Sequence, residues 1–216
     1  MNNLLLGWLL AFLLGNAPLL ADSWISYNDL ADTDPDNSPA NITSYGFGRS
    51  YSGDGMEGEL LDYETAAGTG IQVAFFEMVS EGNTINWAGD AAEFIEGTDA
   101  NDSFGEALNL QGNLSYNDAP GWHFDIILTG LDPNRTYSFA ATANRNGGSS
   151  YAERVTNWSL LEADSYQYAS SATAHKIDEA TVEFSTGNNE AGNVARWTKI
   201  QAGDDGRIVI RTTHGA

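Results

Sequence analysis

Period-two alternation of apolar and polar residues, cut at short intervals by turn residues, is the feature that most restricts the fold of this chain. Trp122, Phe124, Ile126 and Leu128 alternate with His123, Asp125 and Ile127, so one face of an extended segment is apolar. The same pattern sets Leu108, Leu110, Leu114 and Tyr116 opposite Asn109, Gln111, Asn113 and Ser115, and Tyr137, Phe139 and Ala141 opposite Ser138, Ala140 and Thr142. Further strands are predicted over residues 24–28, 42–46, 71–79, 155–160, 181–185, 194–200 and 207–213. Between them lie turn signals such as Gly68-Thr69-Gly70, Asp132-Pro133-Asn134, Asn146-Gly147-Gly148 and Gly203-Asp204-Asp205-Gly206. No segment carries a sustained helical period. Many short strands with such turns predict an all-β chain, a jelly-roll-like antiparallel β-sandwich. Residues 29–41 and 82–103 lack the alternation and are predicted as loops, the second long enough to carry function.

The N-terminus reads differently. From Leu4 to Leu20 the chain is nearly all apolar, holds no charged side chain and ends at the small residue Ala21, the layout of a signal peptide over residues 1–21. The first three residues lack Lys or Arg, and a membrane anchor is the alternative; Gly7, Gly15, Asn16 and Pro18 interrupt the run and no basic stop-transfer residue follows. The expectation is a secreted, cell-surface or periplasmic protein with one β-sandwich domain over residues 22–216. Residues 207–213 have the pattern of a core strand close to the end of the sequence, so the sandwich is expected to lack its last strand here.

Charge and cysteine content exclude several functions. The 30 Asp and Glu begin at Asp22 and the nine Lys and Arg at Arg49, so the formal charge of −21 belongs to the predicted domain. No basic cluster offers the positive face that phosphate binding needs, and nucleic acid is not an expected partner. The absence of cysteine removes disulfides, thiol catalysis and Cys-type zinc sites. No Gly-x-Ser-x-Gly elbow is present, and His123, His175 and His214 are too far apart in sequence for a paired ligand spacing.

Asp32, Asp34 and Asp36 place carboxylates at every second residue of a loop, the spacing by which a chain wraps a hard cation such as calcium. The run departs from an EF-hand, with Asn37 where the glycine stands and Thr43 where the bidentate Glu stands; a solvated acidic loop is the alternative. Acidic pairs such as Glu57 with Glu59, or Glu93 with Glu96, have the residue types a glycosidase needs, but abundance alone places carboxylates near one another. Aromatic residues point elsewhere, because sugar faces stack on exposed rings while Asp, Asn and Arg pair with hydroxyls. Trp122 and Trp197 fall in alternating strands and are predicted core; Trp87, beside Asn86 and Asp90, is predicted exposed. Asp99 in an oxygen-rich loop and Arg145 after a strand end join Trp87 as expected ligand-binding residues, with an ion pair to a nearby Asp as the alternative role for Arg145 and Arg196.

Leu131-Asp132-Pro133-Asn134-Arg135-Thr136-Tyr137 resembles the corner of fibronectin type III and immunoglobulin-like sandwiches, in which a tyrosine hydroxyl closes onto upstream backbone. More broadly, Tyr27-Asn28-Asp29, Gly97-Thr98-Asp99-Ala100 with Phe104-Gly105, Gly121-Trp122 through Asp132-Pro133, Ala143-Asn144-Arg145, and Thr186-Gly187-Asn188-Asn189 with Val194-Ala195-Arg196-Trp197 are similar to a family of secreted bacterial β-sandwich domains of large cell-surface or extracellular proteins. That resemblance implies a galactose-binding-like jelly roll of the carbohydrate-binding-module type, in which carbohydrate or a structural calcium is common, and it implies no catalytic residue. The function expected is an exported non-catalytic module that binds a polysaccharide or surface glycan and is stabilised by calcium. A structural or adhesive domain of a larger surface protein is the alternative, and a carboxylate-based glycoside hydrolase or lyase a third.

Overall fold

A computed structural model describes residues 23–29, 41–46, 56–78, 86–88, 92–105, 107–108, 114–116, 121–145 and 151–215. In chain order its elements are β1 (Glu57–Leu61), β2 (Gly68–Met78), β3 (Asn86–Ala88), α1 (Asp99–Phe104), β4 (Leu114–Tyr116), β5 (His123–Thr129), β6 (Tyr137–Ala141), β7 (Val155–Glu162), β8 (Ser165–Tyr168), β9 (His175–Lys176), β10 (Thr181–Ser185), β11 (Ala195–Gln201) and β12 (Ile208–His214). The chain is nearly all β, and two antiparallel sheets form the expected sandwich. One has seven strands in the order β1-β2-β5-β12-β7-β10-β9, the other three in the order β6-β11-β8; β3 and β4 pair separately. β12 lies between β5 and β7, strands far from it in sequence, so the chain crosses between sheets in the jelly-roll-like manner.

Alternation becomes burial. In β2, Ile71, Val73 and Phe75 are buried while Gln72 and Phe76 are exposed; in β5, Phe124 and Ile126 join the same core. Ile208 and Ile210 of β12, Trp158 and Leu160 of β7, and Val182 and Phe184 of β10 extend that apolar face across the large sheet. Ala195, Trp197 and Ile200 of β11 cap it from the small sheet, with Trp197 and Ile200 at 0% exposure. Trp122 and Trp197 are core residues as predicted; Trp197 donates its Nε1–H to the Glu179 carbonyl at 3.1 Å, which makes its burial tolerable. Trp158 stacks on Phe184 at 6.1 Å between centroids.

The predicted tyrosine corner is present. The Asp132 backbone N–H donates to the Tyr137 hydroxyl at 2.7 Å, and the Asp132 carboxylate accepts from the Asn134 backbone N–H at 2.9 Å. Gly130 before it has φ +82°, and a Cβ there would stand 2.6 Å from the Gly70 carbonyl oxygen, so only glycine fits.

Several local expectations are corrected. The strands predicted over 24–28 and 42–46 meet only in a parallel bridge between Asn28 and Thr43 among the described residues. The Asn28 side chain there takes the place of a strand neighbour, donating to the Tyr45 carbonyl and accepting from the Tyr45 N–H, each at 2.8 Å. Within the predicted loop 82–103 lie β3 and the start of α1, whose Thr98 N-cap accepts from Asn101 N–H. β1, β8 and β9 were not expected, since edge strands need no continuous apolar face. Of the strand predicted over 108–116, residues 114–116 are β4, and 109–113 lie outside the described residues.

Candidate functional site

Of the residues expected to carry function, Asp99 and Arg145 come to one end of the sandwich. Asp99 opens α1, which is held in place by a bond from the Ala100 N–H to the Gly192 carbonyl. Its carboxylate accepts from Arg196 Nη2 at 2.6 Å and Nη1 at 3.2 Å, and from the Ser171 and Ser103 hydroxyls. Burial pushes the Asp99 carboxyl up, but the bonds from Arg196 and Ser171 and the guanidinium charge together hold it below its ordinary value. Arg196 thus forms the ion pair expected as its alternative role. Ser171 also accepts from the Val194 N–H, and Asn193 and Asn189 exchange backbone and side-chain bonds at 2.8 Å and 2.9 Å. Asn189 N–H donates to Asn144 Oδ1 at 2.8 Å, which leads to Arg145. The Arg145 side chain is buried, its guanidinium carbon 3.9 Å from the centre of the Tyr151 ring.

This end is a lattice of loops locked by side chains that mimic backbone. Trp87 belongs to β3, opposite Ser115 of β4. Asp32, Asp34 and Asp36 lie outside the described residues, and no cluster of three or more metal-ligating side chains occurs among those described.

A second constellation sits on the face of the large sheet turned away from the core. Residues directly opposite in an antiparallel ladder share a face. The registers therefore line up Phe76, Asp125, Arg211, Ser159 and Thr181 in one row across β2, β5, β12, β7 and β10. Two residues along each strand, roughly 7 Å away, the next row holds His123, Thr213, Asn157, Glu183 and His175. Phe76 is 53% exposed. Arg211 closes on Asp125 with Nε to Oδ1 at 2.7 Å and Nη2 to Oδ2 at 2.8 Å, and this bond holds its guanidinium above its ordinary value. Ser159 and Thr181 share a hydrogen bond at 3.1 Å, and His175 Nδ1 meets Glu183 at 3.1 Å.

Sequence reasoning did not select Phe76, Asp125 or Arg211. The signal was the other half of the alternation: charged and aromatic residues interleaved with Phe124, Ile126, Ile208 and Ile210 necessarily share the face away from the core. Chemically, that face offers an aromatic ring, amide, imidazole and hydroxyl groups, and one two-pronged ion pair, all fixed on strands rather than loops. No helix among the described residues is long and apolar enough to cross a membrane. Comparison with family models, curated proteins and solved structures gives no match for this chain.

Proposed function

We propose that this chain is an exported, non-catalytic module that binds carbohydrate on the outer face of its seven-stranded sheet. The observation that supports this reading is the pairing of Phe76, 53% exposed, with the Asp125–Arg211 ion pair in the adjoining register positions. Sugar rings present apolar C–H faces to an aromatic ring and hydroxyls that donate and accept at their rims. The ion pair uses Nε and Nη2 of Arg211, so Nη1 stands outside it, and each carboxylate oxygen keeps lone-pair capacity for a ligand hydroxyl.

The non-catalytic part of the reading draws support from how two of the carboxylates are engaged. Asp125 and Asp99 are each engaged by an arginine fork, the arrangement of a structural ion pair. Calcium enters the proposal as a stabiliser at Asp32, Asp34 and Asp36, on the spacing of the three carboxylates.

Electrophoresis of the protein through gels containing acidic, neutral or marine polysaccharides tests the reading. Retardation is expected in at least one, with Phe76→Ala restoring free mobility there while running unchanged in a polymer-free gel. Free mobility of the native protein in every gel would reject carbohydrate binding in favour of a structural or adhesive sandwich.

A further inference from the structure

Accessibility decides which part of the outer sheet face can meet a ligand. Toward the middle of the sheet, Asp125 and Val209 are buried. At the margin formed by β1 and β2, Phe76 is 53% exposed, and Glu57, Glu59 and Gln72 are exposed as well. Glu57 lies directly opposite Ala74 and Glu59 opposite Gln72, so these residues share the face that carries Phe76. Phe76 stands two residues along β2 from Ala74 and is therefore the diagonal neighbour of Glu57. That separation, roughly 7–8 Å, is within reach of an aromatic ring and a long side chain.

The two carboxylates differ in how they are engaged. Glu59 Oε1 accepts from the Gly70 N–H at 2.7 Å. Glu57 meets no lysine, arginine or histidine among the described residues. Arg211, on the same face, is already closed by Asp125 and does not compete for it. An exposed ring beside an open carboxylate suits a cation, because the negative face of the ring and the carboxylate attract one ammonium together. Long-range charge acts in the same direction: a chain carrying −21 draws cations in and turns anionic polymers away.

Resting on the carbohydrate reading, we infer that the site prefers an amino-bearing glycan, with Phe76 against the apolar face of a sugar ring and Glu57 paired with its ammonium group. A neutral sugar meets the same ring but offers Glu57 no charge, so it binds more weakly. Titration calorimetry in mildly acidic buffer, where sugar amines are protonated, tests this with a glucosamine hexamer, its N-acetylated counterpart and hexalysine. The variants are Glu57→Gln, Phe76→Ala and Asp178→Asn, the last making the same change of charge next to β9, at the opposite edge of the sheet from β1. The glucosamine hexamer is expected to bind about tenfold more tightly than the acetylated one, the worth of one charge-assisted contact. Glu57→Gln should remove that preference and leave the acetylated hexamer unaffected, Phe76→Ala should weaken both, and Asp178→Asn should change neither. Melting midpoints should stay near the native value, since all three side chains are exposed; Phe76→Leu, which keeps apolar bulk without the ring, should repeat the loss. Hexalysine binding as tightly as the glucosamine hexamer, or equal losses from Asp178→Asn and Glu57→Gln, would trace the attraction to net charge and overturn the site. Equal affinity for the two hexamers, lost in Phe76→Ala, overturns the amino preference while carbohydrate binding stands. Binding of neither hexamer also overturns the inference, and the polysaccharide gels then decide separately whether the carbohydrate reading survives.

Discussion

Arg211 lies directly opposite Asp125 in the β5/β12 ladder and grips both of its carboxylate oxygens, at 2.7 Å and 2.8 Å. Both strands are interior to the seven-stranded sheet, so backbone pairing on each side fixes where the two side chains begin. A two-pronged bond built on such a base needs little further ordering to hold its shape.

Arg211→Lys tests how far that shape matters. Lysine keeps the charge but presents a point donor in place of a planar fork, so one of the two bonds is lost. Unfolding in urea is expected to show a loss of about 1–2 kcal/mol, with the slope of the transition unchanged. Stability equal to the native protein would mean that the second bond contributes nothing.

Acid should reveal Asp99. Its folded carboxyl lies below the ordinary value of 3.8, so the stabilisation it provides is fully present above that value and is lost as pH falls through the lower folded value. Melting midpoints taken from pH 5 downward are expected to fall below about pH 4. Asp99→Asn should start lower, because Arg196 is left unpaired, and should fall less steeply over that acid range. An identical acid slope in the variant would remove Asp99 as a contributor.

How much of this was legible in the sequence depends on what each element asks of its neighbours. β2, β5, β7, β10, β11 and β12 each bury one face, so their alternation was visible without knowing their partners. β1 and β9 are edges, and β8 pairs on one side only; their stability comes from partners that the local pattern does not name. Asn28 illustrates a different limit, since its side chain replaces a strand ladder and leaves no periodic trace. At the loop end, Asp99 and Arg196 could each be suspected of an ion pair, but 97 residues separate them, and only the fold joins them. The row from Phe76 to Thr181 was hidden for the same reason: each strand contributes a single residue to it, and register alone assembles them.

Thr212 predicts a gain. It is 0% exposed, faces Trp158 on one side and Phe124 on the other, and its hydroxyl has no hydrogen-bond partner. Valine has nearly the same shape without the unbonded hydroxyl, so Thr212→Val is expected to stabilise the domain by about 1 kcal/mol. Serine at the same place should destabilise, since it keeps the hydroxyl and deletes the methyl. Denaturant midpoints order the three proteins, and a valine variant below the native protein would show that the hydroxyl is satisfied in solution.

Calcium separates a metal loop from plain acidity. A ligand held only by the folded state stabilises by RT ln(1 + [L]/Kd), about 2.7 kcal/mol at a hundredfold excess over Kd. If Asp32, Asp34 and Asp36 wrap the ion, the melting midpoint rises with added calcium and returns with a chelator, while magnesium, which demands a tighter octahedron, has a smaller effect. Replacing the three with Asn should abolish the calcium shift yet leave the chelated midpoint near its native value, because the change then removes ligands rather than core. Simple screening of a chain carrying −21 behaves otherwise. It would respond to any salt at matched ionic strength and persist in the triple variant, and that pattern would reject the calcium site.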